Sequence, residues 1–283
     1  MKLEDWHTHS ALCHHAVGSI EDYIREAIEL ELNTIGICDH FPFEFLKNIE
    51  RIPYEDYAMT LDEIKDYLSL AESLKDKYKN VINVRIAFEV DFFENQESAL
   101  NIHLYKNKNH LDYILGSIHI LDFHDGRGAW GFDDSRFRID YDYYGPDKVY
   151  MEYYKTVQKM INSNEFDFDI IAHFDLPKKF NDIPNNKEII FNEVMKTLQL
   201  IKKRDVVMEI NSSGLRKDAK EQYPSKEIIQ KMYDLDISIL LGSDAHDPNY
   251  IAWEFEKIIN MLKKIGYNHL VHFKKRDRLY MEI

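Results

Sequence analysis

The chain has little of what secreted, membrane-spanning and nucleic-acid-binding proteins need. Its 283 residues include two cysteines, and no stretch approaches the roughly 18 apolar residues of a membrane-spanning helix. The N-terminal sequence MKLEDWHTHS also lacks the charged start and apolar core of a secretion signal. Cys13 and Cys38 fit a reducing compartment. The sequence therefore predicts a cytoplasmic protein.

Positive charge is also scarce. The 36 lysines and arginines face 50 aspartates and glutamates, which gives a net charge of −14. Nucleic acids and anionic membranes bind basic faces, so neither is expected as a partner. Any local positive charge must come from metal ions and a few cationic side chains.

Linkers are absent as well. No stretch rich in glycine, proline or serine divides the chain, and its hydrophobic content is 45%. A chain of this length and composition fits one large α/β domain over residues 1–283 better than two small domains.

What the sequence does contain is a series of potential metal ligands at the ends of short apolar runs. Each run is rich in Val, Ile or Phe and bounded by polar residues, which is typical of a buried strand. The run ISILLGS, for example, leads into Asp244 and His246, and DYILGSIH ends at His119. Nine such ligands occur along the chain, namely His7, His9, His15, His40, Glu89, His119, His173, Asp244 and His246.

Helical patterns separate these strands. Ser19 can cap a helix with an apolar stripe from Ile20 to Leu32, and Thr60 with Glu63 forms a capping-box pattern. Further helices are predicted over Asp147–Asn162, Lys187–Arg204, Pro224–Leu235 and Asn249–Ile265. Alternating strands and helices imply a parallel sheet, and a closed barrel would bring all the strand ends to one rim. We therefore predict a barrel of seven strands rather than an open sheet.

These motifs resemble a known family. HTHSALCHHAVGS, GICDH, GSIH, AHFDLPKKF, EINSSGLRK, YPS and LGSDAH are similar, in order, to motifs of the polymerase and histidinol phosphatase (PHP) superfamily, closest to its histidinol-phosphate phosphatases. The resemblance covers nearly the whole chain. It implies a distorted (β/α)7 barrel that holds three divalent metal ions and hydrolyses a phosphomonoester.

The resemblance also implies roles for individual residues. The nine potential ligands become metal ligands, with Glu89 as the carboxylate that bridges two metals. His7, His9 and Asp244 would complete one metal, His119 and His173 a second, and His15, His40 and His246 the third. Imidazole and carboxylate ligands suit Zn, Fe or Mn. Glu89, Asp244 and His246 are the expected catalytic residues, and attack by a metal-bridging hydroxide would convert L-histidinol phosphate to L-histidinol and phosphate in histidine biosynthesis.

Other residues are candidates for binding the substrate. Arg216 matches a family arginine that binds the phosphate, and Lys178 or Lys179 matches the position of a second phosphate-binding cation. The long segment 122–145 is acidic and aromatic, and we expect Asp133, Asp134 and Trp130 to contact the cationic leaving group. Behind the ligands, Asp39 and Asp175 are expected to orient imidazoles.

Two other functions remain open at this stage. The first is a different PHP phosphoesterase that acts on nucleotides, nucleic-acid ends or phosphotyrosine, although the acidic charge disfavours nucleic acid. The second is a metal-binding protein without enzymatic activity. A set of buried histidines with no metal at all would be costly, because many titratable groups would lie around one rim.

Overall fold

The computed structural model describes residues 3–47 and 49–283, which form a β/α barrel. Its strands are Glu4–Asp5 (β1), Thr34–Ile37 (β2), Asn83–Asp91 (β3), Tyr113–Ser117 (β4), Ile120–Leu121 (β5), Trp130–Gly131 (β6), Ile170–Ile171 (β7), Val207–Asn211 (β8), Ile239–Gly242 (β9), His269–Lys274 (β10) and Asp277–Glu282 (β11). Its α-helices are Ile20–Glu29 (α1), Glu63–Tyr78 (α2), Glu97–Leu104 (α3), Arg138–Tyr144 (α4), Pro146–Asn162 (α5), Lys187–Arg204 (α6), Lys226–Asp234 (α7) and Phe255–Ile265 (α8).

Seven parallel strands form the barrel, in the order β1-β2-β3-β4-β7-β8-β9. The barrel closes between β1 and β9, where the Trp6 amide donates to the Leu241 carbonyl at 3.1 Å and Thr8 pairs with Ala245. Because all these strands run the same way, their carboxyl ends share one rim. The predicted seven-stranded barrel is confirmed.

Two apolar layers stabilise the barrel. Side chains alternate along each strand, so Leu115 points into the barrel while Ile114 packs under the outer helices. Inside, the ring of Trp6 lies 5.3 Å from that of Tyr113 and 6.4 Å from that of Phe273. A packed interior leaves the rim as the place for function.

Most predicted helices occur, but the last one begins later than predicted. Ser19 and Asp22 cap α1 reciprocally, and α6 has the predicted bounds. The last helix begins at Phe255 instead of Asn249, because Ala252 and Glu254 adopt left-handed backbone angles of φ 52° and 58° that a helix cannot contain. Within the described ranges, no helix is long and apolar enough to cross a membrane.

The antiparallel hairpin of β10 and β11 was not predicted. It covers the barrel at the end opposite the rim. The Phe273 carbonyl accepts from Arg85 Nε at 3.0 Å, and the Arg276 amide donates to the Asp112 carbonyl at 2.8 Å. The Arg276 guanidinium also pairs with Asp167 and Asp169, just before β7, at 2.8 Å.

Candidate metal centre and substrate cavity

The seam of the barrel brings the first and last motifs together. The Asp244 amide donates to the His7 carbonyl at 2.8 Å, and the His9 amide donates to the Ala245 carbonyl at 2.9 Å. Asp244 has a left-handed backbone (φ 51°), which turns its carboxylate toward both imidazoles. Asp244 Oδ1 lies 3.4 Å from His9 Nε2 and 4.0 Å from His7 Nε2. Two motifs more than 230 residues apart thus form one site.

Glu89 lies at the centre of this site, fully buried on β3. Both of its carboxylate oxygens face imidazole nitrogens. Oε2 lies 3.2 Å from His7 Nε2, 3.3 Å from His9 Nε2 and 3.1 Å from His40 Nδ1. Oε1 lies 2.7 Å from His173 Nε2 and 3.6 Å from His119 Nε2. A carboxylate with ligands on both oxygens has the geometry required to bridge two cations.

The remaining imidazoles lie toward the mouth. His15 Nε2 and His246 Nε2 are 2.9 Å apart, and the His246 ring stacks on that of His9 with centroids 4.3 Å apart. His9, His40 and His246 each place a ring nitrogen within 4.8 Å of the others. The structure therefore brings together all nine side chains that the sequence singled out.

The electrostatics of the site favour anionic carboxylates and, at His40 and His246, neutral imidazoles; at His7 burial lowers the pKa, but Glu209 and Glu89 outweigh burial and hold the pKa well above that of an ordinary histidine. Burial opposes ionisation of Glu89, but the imidazoles of His40 and His7 hold the pKa of its carboxyl well below its usual range. Burial, reinforced by the neighbouring His9 ring, holds the pKa values of His40 and His246 well below that of an ordinary histidine. Neutral imidazole and ionised carboxylate are the forms that bind metals.

Buried nitrogen atoms without partners show that a metal fits here. His9 Nε2 and His40 Nδ1 are inaccessible to solvent and make no hydrogen bond among the described residues. A buried polar atom without a partner is costly, and both atoms point toward Glu89. Nitrogen and oxygen donors at this spacing are the ligands of transition-metal ions. The cluster has the donor set and spacing of a metal-binding site.

Two carboxylates behind the ligands were missed by sequence reasoning. Glu209 Oε1 lies 2.7 Å from His7 Nδ1, and its Oε2 accepts from the His173 amide at 2.7 Å. Asp91 Oδ2 lies 2.9 Å from His119 Nδ1. Carboxylates in this position fix the orientation of metal-binding imidazoles. Gly242 leaves room for Glu209, because a Cβ there would lie 1.9 Å from Glu209 Oε1.

The carboxylates that were expected in this role do something else. Asp39 accepts from the amide and hydroxyl of Ser10 at 2.6 and 2.7 Å. Asp175 accepts from the Tyr154 hydroxyl at 3.0 Å and from the Ser225 amide at 3.2 Å. Within the described part of the chain neither makes a hydrogen bond to an imidazole, so both hold loops in place rather than rings.

A cavity of about 530 Å³ opens above the metal cluster. Its wall includes Asp133, whose carboxylate pairs with Lys179 Nζ at 2.9 Å. Asp134 also lines the cavity, but its carboxylate is bonded to the Tyr57 hydroxyl and to Arg136 Nε at 2.8 Å. Of these two acidic residues, Asp133 is therefore the one paired with a cation that a substrate could replace.

Some predicted substrate contacts lie elsewhere. Lys178 pairs with Glu221 at 2.8 Å and with Asp175 at 3.1 Å; it does not line the cavity, although its Nζ lies 5.6 Å from the centre of the Tyr223 ring, which does. Trp130 was expected to offer a stacking surface, but β5 and β6 form a hairpin that buries it completely against Phe123 and Tyr144.

Arg216 lies beneath Asp244. Its Nη2 donates to the carbonyls of Ser243 and Asp244 at 3.0 and 3.2 Å, and its guanidinium lies 4.7 Å from the centre of the Tyr250 ring. Its other amino nitrogen, Nη1, is buried without a partner among the described residues. Nη2 is therefore an anchor of the Asp244 turn, whereas Nη1 has no partner among the described residues; Arg216 is not among the residues that line the cavity.

A closed β/α barrel with metal ligands on its carboxyl rim defines a metal-dependent enzyme. Residues 5–213 match the PHP domain, and the chain belongs to the PHP family. The family predicted from the motifs is confirmed.

Relatives and a solved structure extend this result. A Deinococcus radiodurans protein named "Probable histidinol-phosphatase" is 28% identical over 274 residues, which cover 97% of both chains. The Bacillus subtilis histidinol-phosphatase is 24% identical over 92% of this chain and 99% of its own. The crystal structure of the Lactococcus lactis histidinol phosphate phosphatase, complexed with zinc, L-histidinol and phosphate, has a TM-score of 0.80 at 19% identity and covers 98% of this chain and 99% of its own. The last comparison shows a shared fold.

Proposed function

We propose that this chain, as one catalytic domain over residues 1–283, hydrolyses L-histidinol phosphate to L-histidinol and phosphate. The observation that carries the proposal is the Glu89 cluster beneath a cavity whose wall holds both Lys179 and Asp133. This arrangement suits a substrate with an anionic phosphate at one end and a cationic amino alcohol at the other. The names of the relatives agree with the function predicted from the sequence.

We propose three divalent metal ions, Zn, Fe or Mn, with Glu89 as the bridging ligand. His7, His9 and Asp244 would hold one ion, His119 and His173 a second, and His15, His40 and His246 a third. The short distances from both Glu89 oxygens to imidazole nitrogens support its bridging role, whereas the division of the other ligands rests on the family resemblance. When bound, such ions lower the pKa of water and neutralise phosphoryl oxygens.

The side chains of this protein divide the remaining work. The catalytic side chains would be those that hold the metals next to the phosphate, namely Glu89, Asp244 and His246. Behind them, Glu209 orients the imidazole of His7 and Asp91 that of His119. Arg216 Nη1 and Lys179 are the proposed phosphate contacts. Lys178 and Asp134, which are already paired within the protein, would support these contacts from behind.

A phosphatase panel tests the proposal. We expect metal-replete protein to hydrolyse histidinol phosphate with a kcat/KM at least about tenfold above that for nucleotides or phosphotyrosine, because histidinol phosphate carries its ammonium group close to the phosphate ester, whereas that of phosphotyrosine lies beyond the aromatic ring. Equal efficiency on nucleotides and histidinol phosphate would point instead to a general PHP phosphoesterase. No hydrolysis of any phosphomonoester would point to a metal-binding protein without this activity.

The leaving-group contact can be tested separately. Asp133→Asn should raise KM for histidinol phosphate by about tenfold or more, since a hydrogen bond to a charged group is worth about 1.5 to 3 kcal/mol. A generic aryl phosphate, which lacks a cation, should be hydrolysed about as before. Asp142→Asn, an exposed change on α4, is the matched control. Equal losses for both substrates would assign Asp133 to the fold or the metals.

A further inference from the structure

The hydroxyl of Tyr223 is a polar group without a partner in the cavity wall. The side chain lines the cavity and is 0% exposed, yet the hydroxyl makes no hydrogen bond within residues 3–47 and 49–283. Most buried tyrosine hydroxyls find a partner, and an unpaired one destabilises the fold. Such a group beside a substrate cavity points to a partner that arrives with the substrate.

The backbone and a glycine fix the position of this ring. Tyr223 and Asn211 exchange two backbone hydrogen bonds of 2.7 and 2.9 Å, which tie Tyr223 to the end of β8. The hydroxyl end of the ring packs on Gly214, where a Cβ would lie 3.0 Å from Tyr223 Cζ and 2.2 Å from the Glu221 carbonyl oxygen. The hydroxyl is therefore held in place before any ligand binds.

The charges around the hydroxyl indicate what it faces. Burial raises the pKa of Tyr223, and Asp133 and Asp244 raise it further, whereas Arg216 opposes them. The ring thus lies among the carboxylates of the cavity wall and the metal centre, with Arg216 near it. Arg216 Nη1 and the Ser212 hydroxyl, both in the segment that follows β8, are further buried donors without a partner among the described residues.

Several unpaired donors in one segment call for an anion with several acceptor oxygens. A phosphoryl group supplies three such oxygens, whereas the amino end of the proposed leaving group supplies donors. We propose that the Tyr223 hydroxyl donates a hydrogen bond to a phosphoryl oxygen of the substrate, beside the contact from Arg216. This proposal rests on the proposed function. Tyr223 is then a substrate-binding residue that does not bind metal.

Tyr223→Phe tests this role by removing the hydroxyl alone. We expect kcat/KM to fall about tenfold or more for histidinol phosphate and for an aryl phosphate alike. The inhibition constant of inorganic phosphate should rise by a similar factor. Metal content and Tm should stay at wild-type values. Tyr150→Phe, which removes a hydroxyl bonded to the Asp182 carbonyl on the outer layer, is the matched control and should retain full activity.

Three outcomes would overturn the proposal. Unchanged kcat/KM and phosphate inhibition would leave the hydroxyl without a role in binding. A loss confined to histidinol phosphate would place it on the leaving group, and a loss of metal would make it a support of the metal centre. If wild-type protein hydrolysed the aryl phosphate but not histidinol phosphate, the proposed substrate would fail, while the aryl phosphate would still measure the phosphoryl contact.

Discussion

Replacing Glu89 by Gln should remove much of the bound metal and lower kcat/KM by about a thousandfold or more. The substitution preserves volume but removes the negative charge that both sets of imidazoles face. It also leaves buried amide hydrogens opposite ring nitrogens. Metal ions contribute several kcal/mol to phosphoryl chemistry, and each 1.36 kcal/mol is a factor of about ten in rate. Elemental analysis and steady-state kinetics on the same preparation measure both effects.

The wild-type protein sets the reference for that measurement. We expect close to three metal ions per chain, and a stoichiometry near one with full activity would contradict the trinuclear proposal. Glu193→Gln is a matched control, because Glu193 is a buried carboxylate on α6 that bonds to Gln158 and Lys196 at 2.8 and 2.9 Å, away from the cluster. Full metal content in Glu89→Gln would exclude the bridging role.

Arg216→Ala should weaken phosphate binding by roughly ten- to hundredfold while the metals remain in place. A charge-assisted contact to phosphate is worth about 1.5 to 3 kcal/mol. The metals should stay because Asp244 keeps two other anchors. Its backbone amide donates a hydrogen bond to the His7 carbonyl, and its carboxylate accepts one from the Ser213 hydroxyl at 3.1 Å. Inhibition by inorganic phosphate, compared with metal content, separates the two roles.

A second variant distinguishes phosphate binding by Arg216 from a structural role in the Asp244 turn. Arg216→Lys keeps a cation that can reach the carbonyls of Ser243 and Asp244 but loses the planar fork. We expect it to bind metal normally and phosphate weakly. If Arg216→Ala lost metal while Arg216→Lys bound both metal and phosphate like wild type, Arg216 would be an anchor of the Asp244 turn. Arg25→Ala, on the exposed face of α1, is the control.

The sequence predicted the metal ligands because their positions obey two simple rules. Ligands follow apolar runs, and parallel strands deliver their ends to one rim. His7 and Asp244 illustrate this, since neither is informative alone and the seam of the barrel unites them. The parallel sheet follows from the alternation of strands and helices, and closure was predicted because only a barrel brings all the strand ends to one rim.

The supporting residues could not be predicted in the same way. Glu209 lies inside the strand MEIN, where a charged residue reads as a solvent-facing position, and only the packing of β8 beside β7 brings it to His173. Asp39 is next to His40 in sequence, yet alternation along the chain turns it to Ser10. The partner of a supporting residue depends on which strands are neighbours: Asp91 ends β3, yet only the pairing of β3 with β4 brings it to His119.

The arrangement of side chains in the cavity wall also could not be predicted from the sequence. Composition marked segment 122–145 as acidic and aromatic but could not show that a short hairpin would fold Trp130 inward. The sequence also could not show that Asp134 is already paired whereas Asp133 faces the cavity. Asp134 bonds to Tyr57, which is distant in sequence, and to Arg136, two residues further along the chain.

Gly242 shows that a metal site can depend on the absence of an atom. A methyl group there would occupy the space of Glu209 Oε1 and lie 2.7 Å from the Cβ of His7. Glu209 would have to move, and His7 and the His173 backbone would lose a shared acceptor at the same time. Residue 242 is therefore constrained as tightly as a ligand although it offers nothing to bind. A search for functional positions that scores only chemically reactive side chains would pass over it.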